Sequence, residues 1–381
     1  MASVEAIFVG ATQRPFMNAA NPSPSVDTLI PVTVLTGFLG AGKTTLLRRI
    51  LTEYHGQRIA VIENEFGEEN IDNDVLVQDS EEQIVQLSNG CVCCTVRGDL
   101  VRALNDLAVQ REAGALRFDR VIIETTGMAN PGPVCQTFFM DDDIAETYRL
   151  DAVITVVDAK HGMATLDRQE EAQSQVGFAD RILISKRDLV NEADYEALRA
   201  RLMHINPRAS IAPVHFGETD LRTLLDVSGF NIDDILNIDP EFLNEQDHDH
   251  DHEHHHHDHE HDDEDGHECG PNCNHDHHHA HHDDAIGSFL FRSDRAFDPE
   301  RLEDFLSGIV QVYGTDLLRY KGILYIKGVK RRMVFQGVHM LMGAEPGKAW
   351  QASEKPNTRM VFIGRKLPRD IFTQGLEQCL A

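Results

Sequence analysis

The chain has 381 residues, of which 41% are hydrophobic and 26% are charged, and its formal net charge at pH 7 is −28. This composition can fill a core, and the length suits two globular domains. The negative charge argues against a nucleic-acid partner, because phosphates would repel the protein. No apolar run reaches the ~20 residues of a spanning helix, which argues against a membrane protein. We expect a cytoplasmic protein, since no secretory signal pattern is present, and its seven cysteines are then thiols or metal ligands.

One internal segment concentrates the acidic residues and the histidines. Residues 247–284 contain 14 Asp or Glu, 16 of the 21 His and no Lys or Arg. With so few apolar residues, this segment cannot offset the entropy of ordering. We therefore predict a flexible N-terminal extension at 1–30, a first domain at 31–244, a disordered linker at 245–285 and a second domain at 286–381.

The first domain alternates short β-branched runs with helical patterns. Such runs are typical of buried parallel strands, and their alternation with helices predicts an α/β doubly wound, mostly parallel sheet. Between two runs, Leu100, Leu104 and Leu107 form one helical stripe. The strand-like runs are 31–36, 59–63, 120–124, 152–158 and 181–185.

The residues after the linker predict a small α+β domain with an antiparallel sheet. A helical pattern covers 298–312, and a final helix ends the chain. Strand-like runs occupy 285–293, 317–326, 332–338 and 359–364.

The most specific motif is a phosphate-binding loop. It matches GxxxxGKS/T and lies between a strand-like run and a helical pattern. Glycines let successive N–H groups wrap around an anion, and the helix N-terminus adds a partial positive charge. Lys43 would reach the β- and γ-phosphates, and Thr44 would give its hydroxyl to Mg²⁺. The predicted nucleotide-binding residues are Gly37, Gly40, Ala41, Gly42, Lys43, Thr44 and Thr45.

A Mg²⁺-facing carboxylate of the Walker-B type is expected at the end of a strand, and two strands offer one. Glu124 ends the run RVIIE and is followed by Gly127, whereas Asp158 ends AVITVVD. We favour Glu124, because Gly127 would let the backbone approach the γ-phosphate. Asp158 is equally well explained as a cap of its strand.

The four residues Ser185-Lys186-Arg187-Asp188 follow a later strand and predict the base specificity. Asp188 could accept hydrogen bonds from guanine N1–H and the 2-amino group. Adenine has neither donor, so a buried carboxylate here would favour GTP over ATP. The stem of Lys186 can lie along the base, and Ser185 stands where Asn is commoner.

Cys91, Cys93 and Cys94 place three sulfurs within four residues. A disulfide between adjacent cysteines is strained, whereas three soft ligands suit Zn²⁺ or Cu⁺. Three protein ligands leave one tetrahedral position open, which suits a site that passes its metal on. Buried structural thiols are the alternative, and we assign that role to the solitary Cys135 and Cys379.

An acidic patch at Glu63, Glu65 and Glu68 ends the strand after the phosphate-loop helix. Glu63, Glu65 or Glu68 could supply a fourth metal ligand or hold Mg²⁺, in a segment that senses the γ-phosphate. A solvated turn is the alternative.

The linker offers auxiliary metal ligands, since imidazoles bind borderline divalent metals and the carboxylates attract cations. A purely solubilising spacer is the alternative. The candidate ligands are His254, His255, His256, His257, Cys269, Cys273, His277, His278 and His279.

Together, GFLGAGKTTLL, ENEFGE, NGCVCC, ETTGMANPGP, VDA, SKRD and LLRYKGIL resemble the CobW/YjiA-type P-loop GTPases. These are metallochaperones that include the zinc-regulated GTPase metalloprotein activators. The resemblance implies hydrolysis of GTP to GDP and phosphate, with Glu124 in the Walker-B role. It also implies guanine recognition by Lys186 and Asp188 and a Zn²⁺ site at the three clustered cysteines. Related families handle nickel or cobalt, so Ni²⁺ and Co²⁺ stay open as alternatives.

The functional hypothesis is a metal carrier controlled by Mg²⁺–GTP, which delivers zinc to a client metalloprotein through the C-terminal domain. No catalytic Gln or arginine finger is evident, so we expect slow intrinsic turnover. A nucleotide-dependent homodimer is left open. The rival hypotheses are a histidine-rich metal buffer with a regulatory nucleotide site, and an ATP-using transferase or kinase.

Overall fold

The structure is a computed structural model that describes residues 29–53, 56–63, 83–86, 96–217, 224–225, 284–351 and 354–381. Two β-sheets organise these residues, one of seven strands and one of five. No helix within these ranges has the length and apolar character needed to cross a membrane.

The seven-stranded sheet has the order β3-β2-β4-β1-β5-β6-β7, and every neighbouring pair is parallel. The strands are β1 (Ile30–Gly37), β2 (Ile59–Glu63), β3 (Gln83–Gln86), β4 (Arg120–Glu124), β5 (Tyr148–Asp158), β6 (Arg181–Ser185) and β7 (Ser210–Pro213). The helices are α1 (Lys43–Thr52), α2 (Val96–Glu112), α3 (Gly132–Met140), α4 (Asp142–Thr147), α5 (Gly162–Arg168), α6 (Glu170–Phe178) and α7 (Glu192–Ile205). The predicted doubly wound α/β fold is confirmed.

The β-branched runs form strands because both faces of this sheet are covered. All five residues of β2 are buried, as are the last nine of β5. The runs predicted at 59–63, 120–124 and 181–185 match their strands at both ends. The sequence analysis did not identify β3 or β7 as strands. The residues of β7 are only partly buried or exposed, so this strand has little apolar pattern to recognise.

The C-terminal sheet has the order β11-β10-β9-β12-β8 and is antiparallel throughout. It consists of β8 (Ile286–Ser293), β9 (Leu317–Leu324), β10 (Arg331–Val338), β11 (Leu341–Ala349) and β12 (Thr358–Arg365), with helices α8 (Pro299–Tyr313) and α9 (Arg369–Gln378). The predicted α+β domain is confirmed, although the analysis missed β11. Its sequence, LMGAEPGKA, has little β propensity, and it pairs only with β10 at the sheet edge.

The two faces of the C-terminal sheet are covered by different partners. One face packs on α8 and α9 through an aromatic cluster that includes Phe289, Phe362 and Phe372. The other face packs on the first domain, where Leu318 and Ile363 share a single core with its strands. The C-terminal domain therefore packs onto the first domain through a buried surface.

The end of the predicted linker is anchored. The side chain of Asp284 is 6% exposed, and its carboxylate accepts hydrogen bonds from Arg201 of α7 at 2.5 Å and from Gln173 of α6 at 3.2 Å. Residues 226–283, which contain the rest of the histidine-rich segment, lie outside the described residues.

Candidate nucleotide and metal site

The phosphate loop follows β1 and depends on three glycines. Gly37, Gly40 and Gly42 have φ values of 138°, 72° and 99°, which side chains rarely adopt. A Cβ at Gly37 would lie 2.2 Å from the Val156 carbonyl oxygen. The loop backbone thus requires glycine for its turn and for its close approach to β5.

Lys43 begins α1 and folds back into the loop. Its Nζ donates to the carbonyl oxygens of Gly37, at 3.1 Å, and Phe38, at 3.2 Å. Burial lowers the pKa of Lys43, and the nearby charge of Glu124 opposes that shift. The ammonium is held where phosphate oxygens could replace the two weaker carbonyl acceptors.

Two carboxylates lie side by side at the carboxyl edge of the seven-stranded sheet, where its parallel strands end. Glu63 of β2 is in register with Glu124 of β4. Glu124 in turn accepts a 3.2 Å hydrogen bond from the Thr44 hydroxyl, which joins the strand end to the phosphate loop. These are hard oxygen donors of the kind that Mg²⁺ prefers, so the residues fit this cofactor.

Asp158 is occupied as a cap of its strand. It accepts hydrogen bonds from the Lys160 amide at 2.8 Å, the His161 amide at 3.2 Å and Lys186 Nζ at 2.5 Å. Although burial opposes the shift, hydrogen bonds from Lys186 and His161 hold the pKa of Asp158 below its usual value. The geometry therefore favours Glu124 over Asp158 for the Walker-B role.

Ser185, which stands where Asn is commoner, supports the phosphate loop. Its hydroxyl donates to the Ala41 carbonyl at 2.7 Å and lies 3.2 Å from that of Val157. Lys186 follows in a left-handed conformation with φ of 55°. Asp188 lies in the short turn Arg187–Leu189, and its side chain is 48% exposed. The expectation of a buried carboxylate was therefore wrong, because this turn lies at the surface after β6. The strand end thus connects the predicted base-reading residues with the phosphate loop.

The sequence analysis missed two residues beside Asp188. His215 follows β7, and its Nδ1 lies 3.6 Å from the Asp188 carboxylate. The Phe216 ring packs edge-on against His215 at 4.6 Å, is 75% exposed, and sits on a backbone with φ of 46°. Both residues follow β7, the strand next to β6. That position could have indicated that they lie near Asp188, but β7 itself was not predicted.

Beyond Thr44 and Glu124, only Glu63 of the predicted metal ligands lies within the described residues. Cys91, Cys93, Cys94, Glu65 and Glu68 lie outside the described residues, as do all the candidate ligands of the linker. In the described ranges, no group of three or more His, Cys, Asp or Glu side chains could hold a metal ion.

The strand that precedes the three cysteines is described. Strand β3 ends at Gln86, in register with Glu63. The chain therefore leaves β3 at the same carboxyl edge as Glu63 and Glu124, and helix α2 begins at Val96.

The two solitary cysteines are core residues. Both Cys135 and Cys379 are buried free thiols, and burial raises the pKa of Cys135 to about 12. Such thiols are protonated and unreactive at neutral pH.

Family models match both domains of the chain. Residues 31–213 match the CobW/HypB/UreG nucleotide-binding domain, and residues 286–380 match the cobalamin synthesis protein cobW C-terminal domain. The chain belongs to the CobW/HypB/UreG family. It is therefore a P-loop protein of a GTP-binding family, as the motifs predicted.

Relatives extend the match over nearly the whole chain. The zinc chaperone YjiA of Escherichia coli is 41% identical over 342 residues, which cover 90% of this chain and 96% of YjiA. The zinc-regulated GTPase metalloprotein activator 1 of Schizosaccharomyces pombe is 39% identical over 221 residues, about half of each chain. The crystal structure of Zn(II)-bound YjiA GTPase superposes with a TM-score of 0.70 and 36% identity, and it covers 93% of this chain and 99% of YjiA.

Proposed function

We propose that this protein is a GTP-hydrolysing zinc metallochaperone. In this proposal, Cys91, Cys93 and Cys94 bind Zn²⁺, and the nucleotide state controls their affinity for it. One observation carries it: the Thr44–Glu124 contact of the phosphate loop lies at the carboxyl edge from which β3 leads to the cysteines. The names of the relatives, a zinc chaperone and a zinc-regulated GTPase activator, support the same metal.

The residues of the loop divide the work of binding the triphosphate. The backbone amides after Gly37 would surround the phosphates, and Lys43 would move its hydrogen bonds from the carbonyl oxygens to the phosphate oxygens. Thr44 and Glu124 would hold Mg²⁺, with Glu63 alongside; this ion neutralises charge on the phosphates. The intrinsic rate of hydrolysis is expected to be slow.

Asp188 would read the base. Its carboxylate would accept from guanine N1–H and the 2-amino group, whereas ATP would leave it without donors. His215 lies beside the same carboxylate, and the Phe216 ring packs against His215. The two rings can therefore form one wall of the base site.

Zinc is the cargo in this scheme. A nucleotide that changes the affinity for zinc must have its own affinity changed by zinc by the same factor. Release would follow when hydrolysis shifts the populations of the two states. The C-terminal domain would contact the client metalloprotein, and a nucleotide-dependent homodimer stays a prediction.

A paired titration tests the coupling. Zn²⁺, Ni²⁺ and Co²⁺ are titrated into the full chain loaded with a non-hydrolysable GTP analogue or with GDP. We expect zinc to bind with different affinities in the two states, and Cys93→Ser to remove the difference. Equal zinc affinities would overturn the proposal, and coupling confined to nickel or cobalt would reassign the cargo.

A second experiment separates the carrier from a passive metal buffer. Lys43→Ala should abolish delivery of zinc to a client but leave the histidine-rich segment intact. If the variant keeps full delivery, the nucleotide site does not drive the function.

A further inference from the structure

The loop that follows Glu124 packs directly on the phosphate loop. We define it as the β4–α3 loop, residues 125–131. The Thr125 amide donates to the Leu35 carbonyl at 2.9 Å. A Cβ at Gly127 would lie 2.5 Å from the Leu39 Cα and 2.8 Å from its nitrogen. A displacement of the β4–α3 loop would therefore also displace the backbone that faces the phosphates.

A buried glutamine holds this loop from the other side. Gln175 of α6 is fully buried, and its Nε2 donates to the carbonyl oxygens of Gly127, at 3.2 Å, and Ala129, at 3.0 Å. Both acceptors are carbonyl oxygens, so only the amide nitrogen can face them. The Oε1 atom is left buried without a hydrogen-bond partner among the described residues. A core optimised for stability would avoid this cost, which points to a positioning role.

The same helix is built into the C-terminal domain. A Cβ at Gly177 would lie 2.9 Å from Leu318 Cδ1. The Phe178 carbonyl accepts a 2.7 Å hydrogen bond from Arg319, and the Ile286 amide donates to the side chain of Gln173 at 3.0 Å. Helix α6 thus contacts the β4–α3 loop through Gln175 and the C-terminal sheet through these neighbours.

The C-terminal domain also reaches the end of the loop directly. His339, in the turn between β10 and β11, has φ of 51°, and its ring lies 5.3 Å from that of Phe178. A Cβ at Gly132, where α3 begins, would lie 2.5 Å from His339 Nε2. Burial lowers the pKa of His339, so the ring is neutral at pH 7 and acts here by packing.

We propose that Gln175 and His339 are positioning residues of the nucleotide site, and that the C-terminal domain thereby sets the β4–α3 loop against the phosphates. This inference rests on the proposed GTPase function. Since Gly127 lies against the loop that would hold the γ-phosphate, the two residues should affect GTP more than GDP. The domain proposed to meet the client would then help to determine how the protein distinguishes the two nucleotides.

The test compares His339→Ala and Gln175→Leu with the wild-type full chain. We expect kcat for GTP to fall about tenfold to 100-fold, because small misplacements of positioning groups have effects of this size. Affinity for a non-hydrolysable GTP analogue should fall, while affinity for GDP stays within about twofold. Trp350→Phe, on the part of the C-terminal sheet that packs on Ile323 and Val334, is the matched control and should behave as wild type.

A second pair of variants tests the contact between Gly132 and His339 and distinguishes its loss from a failure to fold. Gly132→Ala should push its new methyl group into His339 and lower kcat. In a His339→Ala background the same change should cost several-fold less, because the nearest obstructing atom is gone and only the milder contacts with Phe178, at 3.0 Å, and Asn130, at 3.1 Å, remain. Purely additive effects would overturn the role of His339.

The outcomes distinguish this inference from the function on which it rests. If the wild-type protein does not hydrolyse GTP, the proposed function fails. If it does, and both Gln175→Leu and His339→Ala keep the wild-type kcat and ratio of GTP to GDP affinity, the positioning inference fails alone.

Discussion

The carboxyl edge of the seven-stranded sheet and the interface between the domains both gather buried charged groups, but they arrange them differently. At the interface, one carboxylate oxygen of Asp180 accepts from Arg319 at 2.5 Å and from Lys321 at 2.8 Å. At the carboxyl edge, Lys43 donates to backbone carbonyls, and the carboxylates of two neighbouring strands stand in register.

The arrangement of the charged groups indicates the role of each region. Opposite charges inside the protein offset one another's desolvation, which suits a permanent interface. Groups of like charge in neighbouring positions repel one another, and they are stabilised when a ligand of opposite charge binds between them. Substitutions at the interface should therefore cost stability, whereas those at the carboxyl edge should cost ligand binding.

The largest expected effect is on stability. Asp180→Asn removes the carboxylate that pairs with the buried side chains of Arg319 and Lys321, so the free energy of unfolding should fall by about 3–5 kcal/mol, measured by urea denaturation. The control is Asp294→Asn, in an exposed pair with Lys355, where less than about 1 kcal/mol is expected. Similar small losses for both variants would show that the buried cluster is dispensable.

At the carboxyl edge, Lys43→Ala should break function and leave the fold intact. GTP hydrolysis should fall about 10²- to 10³-fold, as when one preorganised donor to a developing charge is lost. Because burial lowers the pKa of Lys43, removing it should not lower the melting temperature. Lys160→Ala, exposed after β5, is the control, and an unfolded Lys43 variant would contradict the distinction between the regions.

A smaller effect is expected at the base site. Asp188→Asn should weaken GTP binding by about 10- to 100-fold, because two charge-assisted hydrogen bonds lose their ionised acceptor. Xanthosine triphosphate, which has a carbonyl in place of the 2-amino group, should gain relative to GTP. Titration with both nucleotides checks this, and an unchanged preference would remove Asp188 from the base site.

Counted per pH unit, the smallest effect is a pH dependence of the interface. Burial and the neighbouring charge of Arg319 lower the pKa of Lys321 from 10.5 to about 7. Between these values the unfolded chain binds more protons, so stability rises with pH by at most about 1.4 kcal/mol per pH unit. Urea denaturation at pH 7 and pH 9 should show this rise in the wild type and a smaller one in Lys321→Met. Equal slopes would mean that Lys321 titrates normally.

Much of the architecture could be predicted because its signals are local. The buried β-branched runs at 59–63 and 120–124 became strands with the predicted ends, since both faces of a parallel sheet demand apolar side chains. The edge strands β7 and β11 escaped prediction, because exposure on an edge removes the pattern that would reveal them.

The phosphate loop was predictable from the sequence alone, because its glycine conformations and its lysine belong to one short contiguous motif. Only the tertiary structure decided that Ser185 holds the Ala41 carbonyl, 144 residues away in the chain. It also decided that Glu63 stands beside Glu124 and that His339 reaches Gly132. These contacts depend on strand order, register and domain packing, for which no local pattern of residues carries a signal.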